Sequence, residues 1–276
     1  MTTRSTGRTH RTRRTLRPAV VGAAALLTLS ACSSSGPGPA AASGSGGSSA
    51  HLSGTVTVFA AASLKESFGA LGRQFEKEHP GTEVAFNFNG SDSLAAGITS
   101  GAPADVFAAA SPRTMKTVTD AGDTAGAPVT FARNQLQIAT LPGNPDRISS
   151  LDDLAGPGLK VVLCDRTVPC GSAAQKALEA GGVQLTPVSY EEDVKAALTK
   201  VELKEADAAL VYRTDVTAAG DKVEGVSFPE AAEAVNDYPI APLKNGPNPE
   251  AAQAFIDLVR SAEGQRVLGE AGFLKP

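Results

Sequence analysis

Five positions in this 276-residue chain put hydrogen-bond donors where a strand hands over to a helix. Ser63 follows "VFAAAS", Ser91 follows "TEVAFNFNG", and Cys170 lies in "VPCG" after "LKVVLCD". Asp193 and Val194 open "DVKAALTKV", and Tyr212 closes "AALVY". The set consists of hydroxyls and backbone N–H groups at helix starts. There the first amides have no intrahelical partner and the helix dipole is positive, so an anion can be held without a formal cation. No arginine, lysine or histidine belongs to it. Nucleophilic chemistry at Ser63 needs a histidine base. The three histidines are scattered: His10 and His51 precede the folded part, and His79 stands at a helix end. Each position also has a plainer reading: Ser63 as an N-cap, Ser91 as a turn residue, Tyr212 and the Val194 side chain as packing.

Positioning these groups takes an α/β framework. Thr55–Ala61 is an apolar run, and Leu64, Phe68, Leu71 and Phe75 follow at helical spacing, which predicts a strand running into an amphipathic helix that starts at Ser63. His79, Pro80 and Gly81 end it. Val84, Phe86 and Phe88 alternate within a second strand, Thr82–Ser91. A short helix over Leu94–Ser100, a third strand within Gly101–Ser111 and a helix capped by Ser111 and Pro112 complete a β-α-β-α-β unit with parallel strands. Asn134–Gly143 reads as a strand leaving this unit, and a second α/β unit follows. Val235–Lys244 is expected to bring the chain back, so that the last helix, Pro249–Val259, packs on the first unit. The expected fold class is α/β with two lobes, parallel-rich sheets and a ligand cleft between them. Lobe one takes 54–133 with 240–276, and lobe two takes 134–239. Ligands gather at the carboxyl ends of strands in such sheets, where the five positions lie.

The ends bound the setting. Six arginines and no acidic residue precede an apolar stretch, Pro18–Leu29, of about a dozen residues. A membrane-spanning helix needs roughly 20, so residues 1–31 read as a signal peptide. "LSAC" resembles a lipoprotein cleavage site, with Cys32 as the lipidated residue. "TRRTLR" is similar to a twin-arginine export signal, and the choice between that route and general export stays open. Residues 32–53 are mostly Ser, Gly, Ala and Pro without periodicity, a flexible tether. The chain's formal charge is −4, and loss of six arginines leaves about ten net negative charges, the wrong sign for a nucleic-acid binder. Cys164 and Cys170 remain, and in an exported protein they favour a disulfide. It would stabilise the fold by about 2–2.5 kcal/mol on the loop-closure model. A redox or metal-binding thiol pair is the alternative, but the spacing is not C-x-x-C.

"VFAAASL", "NGSDSLAAGITSGAPADVF", "VPCGSAAQKAL", "EEDVKAAL" and "ALVY" occur in this order. Together they resemble the periplasmic molybdate-binding proteins of ABC transporters, the ModA family, from Gly54 to the C-terminus. The resemblance implies a type II-like periplasmic-binding-protein fold and no enzymatic activity. It implies a molybdate site made of Ser63, Ser91, Cys170, Val194 and Tyr212, the serines and Tyr212 through hydroxyls, Cys170 and Val194 through backbone N–H groups. Cys170 departs from the usual alanine. Asp105 and Asp215 also match frequent family positions and read as structural or hinge-supporting. No cofactor and no direct metal ligand are implied; molybdate or tungstate is the ligand. An ABC permease with its ATPase is the implied partner of a monomeric, lipid-anchored protein on the extracytoplasmic face of the membrane. A receptor for sulfate, thiosulfate or another oxyanion is the alternative. A ferric-ion receptor would want clustered tyrosines or carboxylates, and the chain has three tyrosines.

Overall fold

The computed structural model describes residues 52–276. The signal segment, Cys32 and most of the tether lie outside the described residues. The first unit runs β1 (Gly54–Ala61), α1 (Lys65–Glu78), β2 (Thr82–Asn89), α2 (Ser91–Thr99), β3 (Val106–Ala108), α3 (Pro112–Asp120) and β4 (Val129–Asn134). The second runs β5 (Leu136–Thr140), β6 (Val161–Cys164), α4 (Pro169–Gly181), β7 (Ser189–Glu191), α5 (Val194–Glu202), β8 (Ala208–Tyr212), α6 (Arg213–Ala219) and β9 (Glu224–Val226). β10 (Asn236–Pro242), α7 (Pro249–Arg260) and α8 (Ala262–Glu270) close the chain.

Two five-stranded sheets result, ordered β2-β1-β3-β10-β4 and β7-β6-β8-β5-β9. Each contains a parallel trio: β2, β1 and β3 in one, β7, β6 and β8 in the other. The remaining pairings, made by β10 and β5, are antiparallel. The sheets are therefore mixed, with the expected parallel strands grouped in one trio per sheet. A strand that enters from the other sheet carries no βαβ crossover to fix its direction. The chain passes between the sheets at Gln135 and again before Asn236, ahead of the 239–240 boundary drawn from sequence. Asn134 and Asn236 are directly opposite in the β4–β10 ladder, so both passages leave the first sheet side by side.

The first sheet is buried on both faces, which is why β1 reads as a continuous apolar run. Val56, Val58 and Ala60 face one core with Phe68, Leu71 and Phe75 of α1 and Phe255 of α7. Phe59 and Phe107 face the opposite core with Leu94, Ile98, Met115 and Val118. Phe68 sits at the aromatic centre of the first, its ring 5.7 Å from Phe131 and 5.8 Å from Phe255. The second sheet's core is built from smaller aliphatic residues of β5, β6, β8, α4 and α5.

Local expectations shift in three places. α2 begins at Ser91, one turn before Leu94, because Gly90 provides the extended N-cap. The helix expected at Pro249–Val259 is α7, and a further helix, α8, follows a break at Ser261, whose Oγ accepts from the Gly264 N–H at 3.1 Å. The third strand shrinks to three residues. Its flank is held by Asp105, buried, whose carboxylate takes the Thr57 and Asn248 N–H groups at 2.7 Å each.

Candidate functional site

The parallel trios of both sheets aim their carboxyl ends at one place. β1 ends in Ala60 and Ala61 and enters a 3₁₀ turn, Ala62–Leu64. β2 delivers Gly90 and the first turn of α2, β6 the first turn of α4, β7 the first turn of α5, and β8 Tyr212. Between them is a cavity with about 20 Å³ open to the centre of a water-sized atom, lined by Ser63, Ser91, Cys170, Val194 and Tyr212 and by the small residues Ala61, Ala62 and Ala110. The five positions singled out in the sequence are thus brought together, and all are buried, none more than 4% exposed. Asn89, Gly90, Val168, Pro169 and Asp193 complete the wall. No Lys, Arg or His side chain lines it.

The local sequence explains the donors. Pro169 is the first residue of α4 and has no N–H, so the Cys170 amide is the first that this helix can offer. Asp193 caps α5: its Oδ1 accepts from the Lys195 N–H at 2.7 Å and the Ala196 N–H at 2.9 Å. That leaves the Val194 amide, ahead of both, to the cavity, and it engages one oxygen of the only carboxylate in the wall. Cys164 and Cys170 form a disulfide, with Cα atoms 5.8 Å apart, which ties the end of β6 to the start of α4. The turn is too tight for a side chain at Gly171, where a Cβ would sit 1.9 Å from the Asp165 carbonyl oxygen.

Ser63 makes no side-chain cap bond. Its Oγ instead lies 2.9 Å from the Tyr238 hydroxyl. Tyr238 in turn is 3.4 Å from Asn134 Nδ2, which also donates to Thr214 Oγ1 at 2.9 Å. Ser91 Oγ accepts the Ala110 N–H at 3.0 Å. Asn236 Nδ2 donates to the Tyr212 hydroxyl at 2.7 Å and to the Pro169 carbonyl at 3.3 Å. Burial drives the pKa of both phenols well up, so both stay protonated. Sequence reasoning missed Asn134, Tyr238 and Asn236. They lie in strands far apart in the chain, and only the sheet order places them behind the donors.

One ion cluster joins the lobes beside the site. Lys195 Nζ on α5 is 2.9 Å from Glu66 on α1 and 3.1 Å from the buried Asp215 on α6. Burial raises the Asp215 carboxyl to about 6, against the pull of Lys195. Burial also opposes the Lys195 charge, but the two carboxylates outweigh it and its pKa rises. Arg113 on α3 reaches across to the Thr167 carbonyl, and Gly90 lies directly against the backbone of Glu192. Among the described residues no group of three His, Cys, Asp or Glu side chains is arranged to hold a metal ion.

The model of the family described as "Bacterial extracellular solute-binding protein" matches residues 56–274. A relative named molybdate-binding protein ModA, from Mycobacterium tuberculosis, is 47% identical over 222 residues, 80% of this chain and 85% of the relative. Among solved structures, the periplasmic molybdate-binding protein of Azotobacter vinelandii superposes with a TM-score of 0.70 at 20% identity, over 80% of this chain and 99% of that one. The sulfate-binding protein SubI of Mycobacterium tuberculosis gives 0.68 at 20% identity, over 79% and 86%. At that identity these structures speak for the two-lobed fold, while the close relative speaks for the family. The chain belongs to the bacterial extracellular solute-binding protein family, in its ModA branch.

Proposed function

We propose that this protein captures molybdate outside the cytoplasm and presents it to an ABC permease. The observation that carries this is the donor set: three hydroxyls and two helix-start amides, drawn from both lobes, around a buried cavity without a cationic side chain. Molybdate at neutral pH is a tetrahedral dianion without a proton and can only accept hydrogen bonds. Helix N-termini and hydroxyls suit it. Hydrogen phosphate carries a proton that helix-start amides cannot accept, and a buried unpaired donor is costly. The space open to atom centres, about 20 Å³, suits a small ion. Sulfate, the second reading, is also a pure acceptor, and only the size of the cavity separates it from molybdate. Tungstate, nearly equal in size to molybdate, binds comparably.

No reaction is catalysed. The partner of the Ser63 hydroxyl is a buried, protonated phenol, which is no base. The ligand is held by lobe closure, with Gly90 meeting the Glu192 backbone and Lys195 meeting Glu66. Cys32, once lipidated, keeps the protein at the membrane beside the permease. Calorimetric titration of the chain without residues 1–31, stripped of anions, tests the reading with molybdate, tungstate, sulfate and phosphate at matched ionic strength. One-to-one binding of molybdate and tungstate, with sulfate much weaker, is expected. Binding of sulfate with silence toward molybdate would move the substrate and keep the fold.

A further inference from the structure

Behind each of the three cavity hydroxyls stands a group placed to donate to it. The sense of these bonds is fixed by chemistry at their far ends. Asn236 faces the Pro169 carbonyl, which can only accept, so its NH₂ is turned to that side. The same NH₂ reaches the Tyr212 hydroxyl at 2.7 Å, which makes the phenol oxygen the acceptor. Asn134 is fixed the other way round: its Oδ1 takes the Gln135 N–H at 3.0 Å, so its NH₂ points at Thr214 and Tyr238. Tyr238, receiving from Asn134 at 3.4 Å, can give its own proton to Ser63 Oγ, 2.9 Å away. Ser91 Oγ receives from the Ala110 N–H. The Tyr212 and Ser91 oxygens thus accept on their protein side, and Ser63 Oγ can do so from Tyr238, an arrangement in which each proton can turn to the cavity.

We infer that Asn236 and Asn134 are positioning residues that set the selectivity of the site: by donating into Tyr212 and, through Tyr238, into Ser63, they turn both hydroxyl protons toward the ligand. A hydroxyl can otherwise donate or accept. A site with free hydroxyls would turn one of them around for a protonated oxyanion such as hydrogen phosphate or hydrogen arsenate. With the amides in place, that turn would set donor against donor in a buried space. The same two asparagines are opposite each other where both interlobe passages leave the first sheet, so proton orientation and the hinge share residues. This rests on the oxyanion reading above.

The variant Asn236→Asp tests it. A carboxylate at this position accepts the Tyr212 proton and leaves a phenol lone pair facing the cavity. The readout is the ratio of molybdate to hydrogen phosphate affinity at mildly alkaline pH, where both are dianions and the added charge penalises them alike. The ratio is expected to fall by about tenfold or more, as for a polar site that gains a mismatched partner. Tyr212→Phe, which removes the donor and supplies no acceptor, weakens molybdate without favouring hydrogen phosphate. An unchanged ratio in a folded Asn236→Asp protein overturns the inference. Should that variant not fold, Asn236→Leu serves in a double-mutant cycle with Tyr212→Phe. The Tyr212→Phe loss of molybdate affinity should be several-fold smaller in the Leu background than in the wild type, and strict additivity overturns the proposal. Failure of the wild-type protein to bind molybdate would instead strike the functional reading.

Discussion

Gly90→Ala separates lobe closure from lobe folding. Gly90 has φ −54° and ψ 134°, a conformation that alanine adopts without strain. The obstacle is across the cleft. A Cβ on Gly90 would sit 2.7 Å from the Glu192 carbonyl oxygen and 3.8 Å from Asp193 Cβ, both on the opposite lobe. The Asp92 carboxylate, 3.1 Å away, can rotate aside; the Glu192 backbone cannot. The lobes must then part by several tenths of an ångström, which stretches every donor bond that spans the cleft. Overpacking of this kind costs about 1–3 kcal/mol, or about 5- to 150-fold in affinity. With the lobes apart the methyl meets nothing, so the ligand-free protein should melt as the wild type does, within about 0.5 kcal/mol. Calorimetric titration with molybdate, beside thermal melts of the ligand-free protein, reads both. Binding within about twofold of wild type would refute the claim that this contact belongs to the ligand-holding state. An equal loss of ligand-free stability would place the clash inside one lobe.

Other expectations follow from single features. Tyr212→Phe removes one charge-assisted donor and should weaken molybdate by about 1.5–3 kcal/mol, read by titration. Loss of the Cys164–Cys170 bridge by reduction should lower stability by about 2–2.5 kcal/mol in denaturant unfolding; reactive thiols at Cys164 and Cys170 in unreduced, denatured protein would rule the bridge out. Phe68→Ala empties the aromatic centre of the first lobe and should cost about 3–5 kcal/mol, measured the same way. Asp215 has its pKa raised from 3.8 to about 6 by burial. The folded state therefore holds this proton more tightly than the unfolded chain, and the group's contribution falls as pH rises from about 4 to about 6, then levels. The stability of Asp215→Asn relative to wild type should rise across that window, and a falling difference would reverse the assignment.

The legible parts of this fold were those governed by local periodicity. β1 announced itself because both faces are buried, α1 because Leu64, Phe68, Leu71 and Phe75 share one stripe, and Asp193 because caps have a fixed chemistry. Donor positions at strand ends could be found because α/β sheets collect them there. What stayed hidden depends on contacts between distant segments. The direction of β5 and β10 follows from interlobe passage, which no periodicity encodes. Ser63 looked like an N-cap because its neighbours permit one, yet its hydroxyl partner is Tyr238, 175 residues away. Asn134 and Asn236 are unremarkable in sequence and meet only through strand register. Gly90 reads as a turn glycine; its steric role appears only with the second lobe against it.

Anomalous diffraction at the molybdenum edge, from crystals grown with molybdate, goes most directly to the heart of the matter. A single molybdenum peak should lie in the cavity between the lobes, its oxygens within hydrogen-bond distance of the Ser63, Ser91 and Tyr212 hydroxyls and the Cys170 and Val194 amides. A peak elsewhere, or an occupied cavity whose oxygens avoid these five groups, would contradict the assignment.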